Sequence, residues 1–330
     1  MSVAFIFPGQ GSQSLGMLHR LLDHPAVVRT LDEISEVLHS DVRNLDSEQA
    51  LKSDVSVQLA LLAAAVATAR ALMEQHLNPA AVSGLSVGAF AAAVTAGVLS
   101  LQDAAELVRL RAEQMMKLYP SGYGLSAIVG LNESQLTKIV HAVTSVQNPV
   151  FVGNINAPRQ IVIAGSNEGM DRALEEARRQ GASKAVRLHV SVPSHCPLLQ
   201  PVADLLEKRM SSVNLTTPRM TYIGNVNARA MLTKEMVARD LVTNIAHGVR
   251  WHDATTVLKE LGCNLFLEMP PGHTLSDLAE ENLPGIKSVP VEASVLSRVL
   301  RLAHQEEAST LEAARNCYRS AEWERRGFHC

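Results

Sequence analysis

The chain has 330 residues, about twice the size of a common domain, which favours two domains or one large domain with an insertion. Its 30 Lys and Arg residues against 33 Asp and Glu give a net charge of -3, so charge provides no basis for nonspecific binding to nucleic acid or to an anionic membrane. Hydrophobic residues make up 47% and charged residues 19%, which is the composition of a globular chain and excludes a disordered one.

On both sides of a central segment, strand-like and helix-like stretches alternate. Residues 3–7 are a predicted buried strand, 55–73 a long Ala-rich helix, and 80–84 a second short strand. The alternation resumes with a helix at 197–210 and a strand at 265–268. This pattern predicts an α/β fold whose core contains a parallel sheet.

The central segment has a different order of elements. Its predicted order is strand, helix, strand, strand, helix, strand, over 125–130, 133–143, the two sides of Asn156–Arg159, 167–179 and 185–190. This is the ferredoxin-like order. We therefore predict a small ferredoxin-like subdomain at 122–192, inserted into a larger subdomain formed by 1–121 and 193–304. The polar stretch 305–330, from Gln305, is expected to be a loosely attached helix or tail.

The spacing of the cysteines and the length of the apolar runs indicate in which cellular compartment the protein functions. No Cys-x-x-Cys pair occurs, so the sequence predicts neither a disulfide framework nor a zinc site. Residues 3–7 are too short for the apolar part of a signal peptide. The apolar run 59–73 contains Arg70 and is shorter than the roughly 20 residues of a membrane span. We expect a soluble, cytoplasmic protein.

Gly84-Leu-Ser-Val-Gly88 fits the G-x-S-x-G pattern between a predicted strand and a predicted helix. A serine on so sharp a turn requires neighbours without side-chain bulk, which explains both glycines. The Ser86 hydroxyl would lie at a helix N-terminus, where free N–H groups favour the oxyanion formed in acyl transfer. Ser86 is thus a candidate nucleophile, and the alternative is an ordinary tight turn.

A serine nucleophile needs a base, and His195 is the best-placed candidate. It follows a predicted strand and directly precedes Cys196 and Pro197, where a helix can begin. Catalytic loops gather at such strand exits. A surface or capping histidine is the alternative, and three further histidines are rival bases: His247, His252 and His273.

The loop Phe7-Pro-Gly-Gln-Gly-Ser-Gln13 follows the first strand, and its glycines can turn backbone N–H groups toward a ligand. A dinucleotide fingerprint would require glycine at position 14, where Ser14 stands. No phosphate-binding G-x-x-x-x-G-K-[ST] motif occurs either. The loop therefore gives no support for a bound nucleotide cofactor.

Arg111 shares a helical stripe with apolar residues, so it is predicted to point toward the core. Arg109 lies on another face and can pair with Glu113. A guanidinium keeps its proton, and leaving it unpaired in a core costs on the order of several kcal/mol. Either a distant carboxylate pairs with Arg111, or a substrate carboxylate does, which would select dicarboxylic acyl groups.

Together these motifs resemble the malonyl-coenzyme A:acyl carrier protein transacylases over residues 5–278. Eight motifs occur in order: the FPGQGSQ opening, Gln58 in the long helix, the GxSxG elbow, LVRLR ending at Arg111, NxNxPxQ at 154–160, SVPSHC at 191–196, VRW at 249–251 and EMPPG at 268–272. The resemblance implies an α/β-hydrolase-like core with an inserted ferredoxin-like subdomain.

The same resemblance implies roles for individual residues. Ser86 would take the malonyl group as an ester, with His195 as its base. Arg111 would hold the malonyl carboxylate bidentately, and the backbone N–H groups of Gln10 and Val87 would form the oxyanion hole. A main-chain carbonyl near Asn244 would orient the histidine. The substrate-binding set is completed by Gln58, Asn154, Asn156 and Asn244.

Two positions depart from the family's GHSLGEY elbow: Leu85 replaces the histidine and Ala89 the acidic residue. This variant resembles the transacylase (epsilon) subunit of bacterial malonate decarboxylase. The expected function is transfer of malonyl from malonyl-CoA, as substrate, to the prosthetic-group thiol of an acyl carrier protein, with no bound cofactor or metal. Other malonate decarboxylase subunits are further expected partners, whereas nucleic acid and membrane are not.

Three alternatives stay open. The chain could be the malonyl transacylase of fatty-acid synthesis, a serine esterase or thioesterase that uses water as acceptor, or a carrier-binding scaffold without catalysis. Arg111 separates the first from the second, because a plain esterase has no reason to bury a cation.

Overall fold

Two β-sheets organise the protein in a computed structural model that describes residues 3–306. The strands are β1 (Val3–Phe7), β2 (Ala81–Gly84), β3 (Tyr123–Val129), β4 (Val150–Ala157), β5 (Gln160–Ser166), β6 (Lys184–Arg187), β7 (Thr221–Ile223), β8 (Ala230–Met231), β9 (Leu265–Glu268) and β10 (Lys287–Pro290). The α/β fold predicted from the sequence is confirmed.

Helices cover both sheets. They are α1 (Pro25–Leu38), α2 (Asp54–Glu74), α3 (Gly88–Thr95), α4 (Leu101–Leu118), α5 (Glu133–Val143), α6 (Asn167–Arg179), α7 (Gln200–Met210), α8 (Lys234–Thr243), α9 (Trp251–Glu260) and α10 (Thr274–Asn282). A last helix is described over 296–306, and its Val299 and Ala303 are buried against the main core. The predicted tail therefore starts inside this helix, and the rest of it lies outside the described residues.

The larger sheet has the strand order β10-β9-β1-β2-β7-β8. Its first five strands are parallel, and β8 runs antiparallel to β7. All five residues of β1 are buried, as expected for a central strand covered on both faces. Because parallel strands end at one edge, the segments after β1, β2, β7 and β9 meet there. The candidate site lies at this edge.

Helix α2 fills the core beneath the larger sheet. It has 21 residues and is the one helix of the described part that is long and apolar enough to cross a membrane by length and composition. The sequence prediction that no run is long enough for a membrane span used only residues 59–73, whereas the helix extends from Asp54 to Glu74. Of its apolar window, 83% is buried inside the protein, which is the position of a core helix.

The smaller sheet has the order β4-β5-β3-β6 and is antiparallel throughout. The elements β3-α5-β4-β5-α6-β6 follow the ferredoxin-like order, and α5 and α6 share a core with the sheet. All of them lie within the predicted segment 122–192, whose limits remain a prediction.

Most predicted element boundaries agree with the structure to within two residues, and two differ by about three. Strand β6 ends at Arg187 and not at residue 190, and residues 188–191 line a cavity together with Gln10 and Asp54. The helix predicted from residue 197 is a single 3-10 turn at Pro197–Leu199 followed by α7. Pro201 occupies the start of α7, where its missing N–H costs nothing.

Backbone hydrogen bonds join the smaller sheet to a segment that lies outside both sheets. The Ile155 N–H donates to the Val249 carbonyl at 2.8 Å, and the Val249 N–H donates to the Gly153 carbonyl at 3.0 Å. Gly248 permits this approach, since a Cβ there would lie 2.7 Å from the Gly153 oxygen. Strand β4 is thereby fixed to the segment that precedes α9.

Candidate active site

Ser86 lies on a sharp turn between β2 and α3. Its φ of 57° is left-handed, which costs a residue with a side chain about 1–2 kcal/mol. A Cβ on Gly84 would lie 2.2 Å from the carbonyl carbon of Gly88, and a Cβ on Gly88 would lie 2.3 Å from the Phe7 oxygen. Backbone therefore fills the space on both sides of the serine, and only glycine fits at either end of the turn.

We predict that Gly84→Ala lowers the free energy of unfolding by about 3 kcal/mol, because backbone on both sides cannot move away from the new methyl group. Chemical denaturation would measure the change. Gly153→Ala is the matched control, since its Cβ would come no closer than 3.3 Å to another atom, the Val162 oxygen. Equal stability of the two variants would contradict the steric argument.

His195 contacts Ser86 through its ring. The His195 Nε2 atom lies 2.7 Å from the Ser86 Oγ, and its Nδ1 lies 2.6 Å from the Asn244 carbonyl oxygen. Because a carbonyl only accepts, Nδ1 carries the proton, and Nε2 is left to accept the hydrogen bond from the Ser86 hydroxyl. The ring is in the tautomer that a general base requires.

Burial lowers the pKa of His195 to about 3, and the positive charge of Arg111 acts in the same direction. The side chain is almost fully enclosed, at 2% exposure. Desolvation disfavours the imidazolium, so the ring is neutral at pH 7 and able to accept a proton.

The lowered pKa predicts how Ser86 acylation depends on pH. A base with its pKa near 3 is deprotonated throughout the range from pH 8 to about 5, so the acylation rate should stay flat there. A histidine with an ordinary pKa of about 6.5 would lose most of the rate over the same range. Rapid-quench measurement of the acyl-enzyme across this range distinguishes the two outcomes.

Arg111 extends from α4 to the same serine. Its Nη2 donates to the Ser86 Oγ at 3.0 Å, and its Nη1 donates to the Gln58 Oε1 at 2.6 Å. Its Nε is buried without a hydrogen-bond partner. Burial lowers its pKa to about 10, which leaves the guanidinium charged at neutral pH.

No carboxylate neutralises this charge by direct contact within residues 3–306. Asp54 acts on Arg111 only at a distance, through its electrostatic field. Of the two interpretations of Arg111 from the sequence, a structural ion pair is therefore not what the structure shows. The edge formed by Nε and Nη2 retains donors for an external carboxylate.

A chain of hydrogen bonds leads from Arg111 to the protein exterior. Gln58 Nε2 donates to the Gln10 Oε1 at 3.3 Å, and Gln10 Nε2 donates to an Asp54 carboxylate oxygen at 2.6 Å. Burial raises the pKa of Asp54, and the second oxygen of this carboxylate has no partner. The chain ends at a cavity of about 560 Å³ whose lining includes Gln10, Lys52, Asp54, Tyr123, Arg187 and Ser191.

The predicted oxyanion donors follow β1 and β2 at one edge of the larger sheet. In the part of the chain that the structure describes, neither the Gln10 N–H nor the Val87 N–H has a hydrogen-bond acceptor. The N–H of Ser86, in contrast, donates to the Asn225 Oδ1 at 2.9 Å. The two predicted donors are free to bind an oxyanion, whereas the serine N–H is occupied.

Asn225 was missed by the sequence analysis. It lies two residues after β7, at the edge where the other site residues converge, and is 2% exposed. The sequence offers only a weak indication of its role: Asn225 follows Gly224 and a short apolar stretch, and it belongs to no motif used in the prediction. Only the strand order, which places β7 beside β2, reveals its proximity to Ser86.

The other residues predicted from the sequence differ in how they are placed relative to Ser86 and His195. Asn244 contributes its backbone carbonyl, while both polar atoms of its buried side chain lack partners. Asn154 and Asn156 lie on β4 with buried, unpartnered Oδ1 atoms, and within the described residues neither bonds to Ser86 or His195. At the elbow, Ala89 is fully buried in the core.

None of the three rival histidines hydrogen-bonds to Ser86 among the described residues. His247 is exposed and contacts the Thr243 carbonyl at 2.9 Å. His273 is exposed and pairs with Asp277 at 2.8 Å. His252 has a buried Nδ1 without a partner. No group of three or more His, Cys, Asp or Glu side chains within 3–306 is arranged to hold a metal ion.

Comparisons with known proteins show the family to which this chain belongs. Residues 4–318 match the acyl transferase domain. A malonyl CoA-acyl carrier protein transacylase of Bacillus subtilis (strain 168) is 34% identical over 295 residues, which cover 88% of this chain and 93% of that protein. This chain belongs to the malonyl CoA-acyl carrier protein transacylase family.

Solved structures of this transacylase family have the same fold. The malonyl CoA-acyl carrier protein transacylase of Coxiella burnetii aligns with a TM-score of 0.84 at 35% identity, covering 88% of this chain and 94% of that one. A malonyl-transacylase in complex with its type II PKS acyl-carrier protein aligns with a TM-score of 0.84 at 34% identity, covering 88% and 96%. The family assigned from the sequence motifs is confirmed, and the protein is an acyltransferase.

Proposed function

We propose that the protein transfers a malonyl group from malonyl-CoA to the prosthetic-group thiol of an acyl carrier protein through an ester on Ser86. The observation that carries this proposal is the buried guanidinium of Arg111, which lies 3.0 Å from the Ser86 Oγ and has no carboxylate partner in the described residues. A free carboxylate one methylene away from the thioester carbonyl, as in malonyl-CoA, would satisfy that charge. The names of the relatives support the same substrate and acceptor.

In the first half-reaction, Arg111 binds the malonyl carboxylate and positions the thioester carbonyl at Ser86. The Ser86 oxygen attacks this carbon while its proton passes to the His195 Nε2. The N–H groups of Gln10 and Val87 stabilise the oxyanion. Collapse of the intermediate breaks the carbon–sulfur bond, and the coenzyme A thiolate leaves with the proton from His195.

The second half-reaction reverses these steps with a new thiol. The carrier-protein thiol gives its proton to His195 and attacks the ester carbon of malonyl-Ser86. The same oxyanion donors act again, and the serine oxygen recovers the proton as it leaves. The sequence is a ping-pong reaction with a covalent intermediate and consumes no cofactor.

Mass spectrometry of the intact protein tests the proposal. Incubation with malonyl-CoA should add the mass of one malonyl group to the native chain and none to Ser86→Ala. Addition of a holo carrier protein should then remove the adduct and malonylate the carrier. Absence of any adduct on the native chain would contradict the proposal and favour a scaffold, whereas an adduct released equally fast without a carrier would favour a thioesterase.

The comparisons favour the transacylase of fatty-acid synthesis over the malonate decarboxylase subunit. The relatives are named malonyl CoA-acyl carrier protein transacylase, and their chains are covered over more than 90% of their length. The epsilon assignment rests mainly on one short motif, the variant elbow with Leu85 and Ala89. We therefore propose a free acyl carrier protein as the acceptor, and transfer rates to purified carriers of the two systems would decide between them.

We further propose a cytoplasmic location. Cys196 and Cys263 are buried free thiols, as suits a reducing compartment. Fractionation of cells followed by immunodetection would test it.

A further inference from the structure

The side chain of Asn225 bridges two backbone groups in the first half of the turn that carries Ser86. Its Oδ1 accepts from the Ser86 N–H at 2.9 Å, and its Nδ2 donates to the Gly84 carbonyl at 2.9 Å. The residue is 2% exposed, so water does not compete for these bonds. A single amide thus holds the peptide groups on either side of Leu85.

The orientation of this amide is fixed by its partners. An N–H can only donate and a carbonyl can only accept, so Oδ1 must face Ser86 and Nδ2 must face Gly84. The backbone of Asn225 is fixed as well, because its N–H donates to a carboxylate oxygen of Asp240 at 2.8 Å. The same oxygen accepts from the Val226 N–H at 3.1 Å, and Asp240 is 3% exposed.

This bridge acts where the backbone is strained. Ser86 has a left-handed φ of 57°, a conformation that persists in a residue with a side chain only when the surroundings impose it. The bond from the Ser86 N–H opposes rotation of the peptide that precedes the serine. It also keeps this N–H out of the oxyanion hole, which leaves Gln10 and Val87 as the donors.

We propose that Asn225 is a positioning residue for acyl transfer. It holds the Ser86 backbone so that the Oγ stays between the His195 Nε2 at 2.7 Å and the Arg111 Nη2 at 3.0 Å. Asn225 hydrogen-bonds to neither of those side chains, so it acts through the serine alone. The inference rests on the proposed function, because it takes Ser86 to be the acylated residue.

The test compares acylation with binding. We expect Asn225→Ala to slow the acylation of Ser86 by malonyl-CoA about 100-fold in rapid-quench experiments, since displacement of a nucleophile by about 1 Å has effects of this size. Affinity for malonyl-CoA, measured by calorimetry in a Ser86→Ala background, should stay within about threefold, because only the transition state needs the aligned oxygen.

Ser83→Ala is the matched control for a merely structural role. The Ser83 Oγ donates to the Ile223 carbonyl at 3.1 Å, so it joins the same two strands, β2 and β7, at equal burial. It lies before the turn, and within the described residues its hydroxyl makes no hydrogen bond to the turn. We expect Ser83→Ala to be acylated at the native rate.

A second variant keeps the test decisive if Asn225→Ala folds poorly. The double variant Asn225→Asp with Asp240→Asn restores an oxygen acceptor opposite the Ser86 N–H and keeps one carboxylate in the buried pair. We expect its acylation rate to stay within about 10-fold of the native rate, and a loss of about 100-fold or more in this folded variant would contradict the positioning role.

The outcomes separate this inference from the proposed function. A native chain that malonyl-CoA does not acylate would refute the proposed function. A native chain that is acylated, together with an Asn225→Ala variant that reacts equally fast, would refute only the role of Asn225. Equal losses in Ser83→Ala and Asn225→Ala would also refute that role, since the effect would then follow strand pairing alone.

Discussion

Replacement of Arg111 by alanine should reduce kcat/KM for malonyl transfer by about 10²-fold to 10³-fold and leave acetyl transfer from acetyl-CoA much less affected. Removal of one partner of a buried, hydrogen-bonded ion pair costs about 3–5 kcal/mol, because the other charge is left unpaired. The carboxylate of malonyl-CoA would lose its guanidinium partner, whereas acetyl-CoA has no carboxylate. Steady-state transfer assays with both thioesters would measure the ratio.

Arg109→Ala is the matched control for this prediction. Arg109 lies on the exposed face of the same helix, two residues before Arg111, so its removal should change neither activity. Equal losses of malonyl and acetyl transfer in Arg111→Ala would contradict the anchor role. Such a result would mean that the guanidinium serves the structure of the site and not the choice of acyl group.

Replacement of His195 by alanine should slow Ser86 acylation by about 10⁴-fold or more, because a serine without its base is a poor nucleophile. The variant should still bind malonyl-CoA, since Arg111 and the oxyanion donors stay in place. Rapid-quench acylation and calorimetric binding would measure the two effects separately.

His273→Ala is the control for the base. His273 is exposed, and within residues 3–306 its side chain hydrogen-bonds only to Asp277, so acylation should keep its native rate. A His195→Ala variant that retained a tenth of the native rate or more would show that another group removes the proton from Ser86.

Local sequence signals predicted several elements with accurate bounds. Strand β1 and helices α5 and α6 have the bounds that apolar periodicity and capping residues indicate. The G-x-S-x-G pattern predicted both the turn and the need for its glycines, because that need arises within five consecutive residues. The stripe on α4 likewise predicted the burial of Arg111.

Contacts between distant segments could not be predicted in the same way. Asn225 meets Ser86 across 139 positions of sequence, and only the adjacency of β2 and β7 brings them together. The resemblance to the family supplied the carbonyl near Asn244, which no pattern in the chain indicates. Asp54 was overlooked because a carboxylate in the first turn of a helix is ordinary capping chemistry.

In the hydrogen-bond chain from Arg111 through Gln58 and Gln10 to Asp54, each residue donates to the next one outward. A guanidinium has no acceptor and an ionised carboxylate has no donor, so neither glutamine amide can turn over without breaking two bonds. In the proposed mechanism, Gln10 therefore connects the loop whose N–H would bind the oxyanion to the guanidinium of Arg111 that would bind the acyl carboxylate. In that mechanism, the negative charge of the substrate and the negative charge of the transition state would be bound by two members of one hydrogen-bonded chain. Arg111 at its inner end and Asp54 at its outer end orient both glutamine amides within it.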